Sequence, residues 1–169
     1  LLALFVVREM GPLMTAVLVA GRSGSSIASE IATMKVTEEL DALQVMGLSP
    51  VRYVVVPKVL AITAVMPVLT MISMVVAILG GMAISLPYLD LTARTFIGQF
   101  VDVLSLYDLV TGFSKSLVFA WQIVIVAAYY GFRATGGAEG VGLVTTKSVV
   151  ASIFSVIVID VFFSFAYLT

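Results

Sequence analysis

Three ionisable side chains interrupt otherwise apolar stretches of this sequence: Glu30, Lys115 and Asp160. A charge inside hydrocarbon is expensive unless it is paired or hydrated, so each is a site candidate by default. Lys115 falls about six residues in from one end of its apolar stretch, and Asp160 about eight residues in from the near end of the next. In antiparallel neighbours both lie roughly 9–12 Å below the same membrane surface. Two chemistries are open to them: a buried ion pair that fixes helix register, or one polar cavity on a transport path. Glu30 lies near the opposite surface, on a helix face with Ser23, Ser26 and Ile27. It either lines a cavity or snorkels to the interface.

Catalytic constellations are missing from the chain. No cysteine and no histidine occur, which removes thiol nucleophiles, thiolate metal sites and the commonest general base. The run Gly21-Arg22-Ser23-Gly24-Ser25-Ser26 is glycine-rich but lacks the lysine of a phosphate-binding loop and sits inside an apolar stretch. No nucleophile elbow or metal-binding helix motif is present. The chain is therefore read as a non-enzyme with no cofactor or metal of its own. A net charge of −1 leaves no basic field for nucleic acid.

What must position these residues is set by composition. The sequence is 61% hydrophobic and 11% charged, with a mean hydropathy of +1.17. A soluble fold of this size cannot hide that much apolar surface. The expected class is all-α: a multi-pass membrane helical bundle in one domain, with spans at about 10–34, 55–86, 109–132 and 148–168. Leu1 to Val7 reads as the tail of an earlier apolar element, severed from the first span by Arg8-Glu9, and the chain as N-terminally truncated. Gly11-Pro12 marks the first span's start. The second apolar run exceeds a bilayer core, which implies tilt, a kink at Pro67 or an extension.

The first span is dominated by small residues. Ala16, Ala20, Gly24, Ala28 and Ala32 recur every four positions, and Gly21, Ser25, Ser29 and Thr33 form a second row. Such rows let helix backbones approach closely in lipid, either within the bundle or between two copies. A short amphipathic helix follows at about 38–46. Thr37 is its expected cap, Glu38, Glu39 and Asp41 lie at the positive end of its dipole, and Val36, Leu40, Leu43 and Met46 form its apolar stripe. It is either a solvated linker or a surface that docks in a partner's groove. A second short helix, interfacial and capped by Thr92, carries Phe96, Phe100 and Val103. Arg133 to Lys147 reads as a glycine-rich loop. Counting Lys and Arg puts the Lys35–Lys58 and Arg133–Lys147 connectors on the cytoplasmic side and the acidic Pro87–Asp108 connector outside.

Read together, several segments resemble the MlaE/YrbE permease family. They are Arg8-Glu9-Met10-Gly11-Pro12, Val19-Ala20-Gly21-Arg22-Ser23-Gly24-Ser25, Ser29 through Leu43, Met46-Gly47-Leu48-Ser49-Pro50, Lys115-Ser116-Leu117-Val118-Phe119-Ala120 and Gly136 through Gly142 with Thr145-Thr146-Lys147. They occur in family order over nearly the whole chain. The resemblance implies the membrane subunit of an ABC transporter that moves phospholipid between the inner and outer membranes of a bacterium, seated in the inner membrane. It implies two copies around a lipid cavity, a separate cytoplasmic ATPase that binds ATP and Mg, an MCE-domain protein outside and a STAS-domain protein on the ATPase. The 38–46 helix becomes the coupling helix, with Glu38, Glu39, Leu40, Asp41 and Leu43 facing the ATPase stroke. Glu30, Lys115 and Asp160 fall where the family carries intramembrane charges, and Lys115 offers a cation to a phosphate head group. Two other readings compete: a membrane scaffold that passes no substrate, and an ion-coupled transporter using the three charges as a relay.

Overall fold

The computed structural model describes residues 5–89, 92, 94–98 and 105–168, and among them every long element is helical. Helix α1 runs through 6–36. Its α-helical parts, Gly11–Val19 and Ser25–Val36, continue without a break from π-helical turns at Val6–Met10 and Ala20–Gly24. Helix α2 is Glu39–Val45. Helix α3 covers 51–89, a π-helical turn at Val51–Val55 followed by Val56–Leu89. Helix α4 is Leu106–Gly131 and α5 is Gly137–Leu168. Three stretches are long and apolar enough to cross a membrane: Val51–Ser85, Leu106–Gly131 and Gly137–Ala166. The protein is a multi-pass α-helical membrane protein.

Helix α1 is the interior element. Ala16, Ala20, Gly24, Ala28 and Ala32 are all buried, and they are buried within one copy of the chain. Ala16 and Ala20 pack with Phe119, Ala120 and Ile123 of α4, Met66 of α3 and Val156 of α5. Ala28 packs with Val124, Ala127 and Ala128 of α4, and Ala32 with Val144 of α5. A Cβ on Gly24 would lie 3.1 Å from Ile123 Cγ2, and one on Gly131 only 2.8 Å from Ile31 Cβ. The first row of small residues thus serves internal helix packing. By contrast α3 and α5 turn large side chains outward, among them Val68, Ile72, Val76, Phe154, Phe162 and Phe165, as lipid-facing helices do.

Several sequence expectations are corrected. Arg8-Glu9 does not end an element, and Gly11-Pro12 does not start one: α1 runs straight through both. A proline clashes with the carbonyl four residues back in a regular helix. Here a π turn precedes Pro12, and another precedes Pro57, widening the spiral where that clash would fall. Helix α3 also continues through Pro67. The glycine-rich 133–147 stretch is mostly helix. Only the residues up to Gly136 turn, with positive φ at Gly136 (+84°) and Gly137 (+74°), a conformation glycine adopts without strain. Gly140 lies inside α5, where a Cβ would run into the Thr135 backbone. Thr92 caps as expected, accepting from the Thr95 amide at 3.4 Å, and 94–98 is helical. Phe100 and Val103 lie outside the described residues.

Candidate functional site

Lys115 sits on α4 with its side chain enclosed. Its ammonium donates to Glu9 Oε2 at 2.6 Å, Asp160 Oδ1 at 3.1 Å and Ser164 Oγ at 3.3 Å. The single Ser164 hydroxyl proton has two acceptors within reach, Glu9 Oε2 at 3.2 Å and the Asp160 carbonyl at 2.9 Å. The sequence places Lys115 and Asp160 at one depth, and the structure joins them. It adds a third helix: Glu9, from α1, makes the shorter contact. An ammonium carries three protons, and these three acceptors account for all of them. The cation is thereby committed to protein groups and closed off from a phosphate.

The residue before Glu9 serves a second pair. Arg8 Nε lies 3.4 Å from Asp108 Oδ1, and Asp108 is buried. Asp108 also accepts the Ser105 amide at 3.0 Å, while the Ser105 hydroxyl accepts from Tyr107, closing a capping box at the start of α4. Two adjacent residues on the Val6–Met10 turn therefore tie α1 to both ends of one region: Arg8 to the α4 N-terminus, Glu9 to the α4–α5 seam. That seam continues inward, where Gln122 donates to the Ser155 hydroxyl and, at 3.4 Å, to the Ser152 carbonyl. Sequence reasoning missed Glu9 because two neighbouring charges in an apolar run look like a membrane boundary. The signal was available: a carboxylate near the N-terminal end of the first apolar stretch shares the depth of Lys115 and Asp160.

Glu30 is not part of this cluster. It lies 21 residues along α1 from Glu9, roughly 30 Å at helical rise. It is 56% exposed in its side chain and pairs with Lys58 of α3 at 2.6 Å. The three candidate charges are thus two separate features, a buried knot and a peripheral tie.

The short helix α2 is held at the opposite end. Glu38, not Thr37, is its cap residue, in the left-handed conformation at φ +62°. The Thr37 hydroxyl turns back to the Thr33 carbonyl at 2.9 Å instead. Lys35 pairs with Asp41 at 3.2 Å. Leu40 is buried against Ile27, Ile31, Val54, Val55 and Val124, with Leu43 half-buried beside it. Glu39, Asp41 and Gln44 face out. The expected stripe splits: Leu40 and Leu43 point into the bundle, whereas Met46 is 65% exposed and its neighbour Val45 89% exposed.

The family model described as Permease MlaE matches residues 1–166. A probable ABC transporter permease protein of Synechocystis sp. is 40% identical over 163 residues, covering 96% of this chain and 62% of that protein. One from Rickettsia typhi is 40% identical over 149 residues, covering 88% and 58%. One from Pyropia yezoensis is 37% identical over 158 residues, covering 94% and 60%. The chain spans about three-fifths of the length of these curated relatives. With the match running along nearly the whole sequence, the chain belongs to the MlaE permease family.

Proposed function

We propose that this chain is the membrane subunit of an ABC transporter that moves phospholipid between inner and outer membranes. Two copies would enclose the lipid, a separate ATPase would supply ATP hydrolysis from the cytoplasm, and an MCE-domain protein would stand on the outer side. The observation that carries this reading is α2. A helix of seven residues does not persist alone in water, yet Leu40 pins this one into the bundle core. Its outward side carries Glu39, Asp41 and Gln44, continues into exposed Val45 and Met46, and is uncovered. A lever needs both properties: a rigid link to the spans and a free face for the partner that moves it.

In this reading α1 is a fourth span. It lies parallel to α4, with Glu9 level with Lys115 and Ile31 level with Gly131. It lies antiparallel to α5, with Glu9 level with Ser164 and Ala32 level with Val144. An element that follows two spans along their length shares their depth. The Glu9–Lys115–Asp160 knot then acts as the hub through which a push at α2 reaches the outer half. The test is the assembled complex carrying Val45→Asp. The expected result is loss of ATPase association and of ATP-driven lipid movement in a normally folded protein. Lipid movement that persists, or that runs on an ion gradient without the ATPase, overturns the reading.

A further inference from the structure

We infer that Arg22 is an anion-binding point for lipid, taking a phosphodiester at mid-depth on the uncovered face of α1. The inference rests on the proposed lipid-permease function and names the group that receives the head of the lipid, a task that the enclosed Lys115 does not perform.

Arg22 lies near the middle of α1, which runs 6–36, so about 20 Å of helix separates it from either end. It is exposed. Three cations on the long helices are neutralised by carboxylates: Lys115 by Glu9 and Asp160, Lys58 by Glu30, Arg8 by Asp108. The Ser25 hydroxyl donates to the Arg22 carbonyl at 2.8 Å, but the guanidinium makes no ion pair or hydrogen bond with any described residue. Unlike lysine, arginine stays charged in any surroundings, so at this depth it needs an anion.

The backbone marks the same spot. Arg22 is the central residue of the π-helical turn Ala20–Gly24. The other two π turns each precede a proline, Pro12 and Pro57, and this one does not. Single π turns inside α-helices are frequent at functional sites. Gly21 beside it has open space where a Cβ would stand, which leaves room for a bulky group at the guanidinium.

The carboxylates of α1 in a second copy would not supply the anion. Copies related by an axis along the membrane normal present equal depths to each other. Along α1 the nearest carboxylates, Glu30 and Glu9, are roughly 12 and 20 Å away by helical rise, and each is held by a lysine. A phosphodiester matches the guanidinium fork bidentately. Toward the outer end the same face of α1 continues through exposed Leu18 and Met14, an apolar track for acyl chains.

The test uses the full permease assembled with its ATPase in nanodiscs of phosphatidylethanolamine and phosphatidylglycerol, doped with diacylglycerol. Lipid retained after detergent extraction is quantified by mass spectrometry. Arg22→Gln should lower retained phosphatidylglycerol about tenfold, the loss expected for one bidentate contact. Diacylglycerol, which lacks the phosphate, should be retained unchanged, and Arg22→Lys should recover part of the loss. Equal retention of phosphatidylglycerol by Arg22→Gln overturns the inference alone. So does an equal loss of both lipids, or a shift from paired to single copies, which would assign Arg22 to the contact between copies. Absence of retained phospholipid in the unsubstituted complex overturns the permease reading and this inference with it.

Discussion

Lys115 lies closer to Glu9 than to Asp160, at 2.6 Å against 3.1 Å, so the shorter arm of this buried knot joins two residues 106 positions apart in sequence. One ammonium serves two carboxylates from two other helices. Removing the ammonium leaves both acids without their counter-charge, a change that costs about 3–5 kcal/mol when a buried pair is broken. Lys115→Met should therefore lower the thermal unfolding midpoint of the purified protein sharply. The triple variant Glu9→Gln, Lys115→Met, Asp160→Asn should recover much of that loss. Equal loss in both would remove electrostatics as the cause.

Glu30 and Lys58 make the opposite case. Their contact is as short, at 2.6 Å, but the glutamate is largely exposed. Exposed pairs contribute about 0–1 kcal/mol. Glu30→Gln should shift the unfolding midpoint little, and a shift approaching that of Lys115→Met would show that the pair is buried in the assembly.

Glycine substitutions along α1 and α4 should separate contact from composition. Gly131→Ala would press a methyl group against Ile31 and the Ala28 carbonyl. Overpacking of this kind costs about 1–3 kcal/mol. Gly21→Ala meets nothing within 4 Å and should leave unfolding unchanged. Comparable midpoints for the two variants would place α1 and α4 farther apart than described here.

Leu40 and Val45 are expected to divide stability from coupling. Leu40→Ala empties a core site shared by α1, the start of α3 and α4, a loss of about 2–5 kcal/mol. Val45→Asp lies on the free side and should not move the unfolding midpoint.

Much of this arrangement was legible in the sequence. The four-residue rhythm of Ala16, Ala20, Gly24, Ala28 and Ala32 predicted close packing, because in lipid only small residues let backbones meet. The shared depth of Lys115 and Asp160 was legible, because helical rise converts residue number into depth, but it left a direct pair and a common polar cavity equally open. Other features were not local. Glycines at 140 and 142 read as loop by propensity, but Gly140 is small because the Thr135 backbone passes over it. Glu9 read as a boundary because nothing in its neighbourhood reports that α1 continues through a π turn. Arg22, inside a glycine-rich run that resembles a failed phosphate loop, was passed over as chemistry. Its lack of a counter-charge appears only in the structure, where Lys115, Lys58 and Arg8 have found theirs.

The central claim is that α2 transmits an external ATPase stroke to lipid held by the spans. Its most direct test is ATP-dependent transfer of labelled phospholipid from vesicles containing the assembled transporter, compared between the unsubstituted protein and Val45→Asp at matched unfolding midpoints. The account predicts transfer in the first and its loss in the second. Undiminished transfer by Val45→Asp would contradict it.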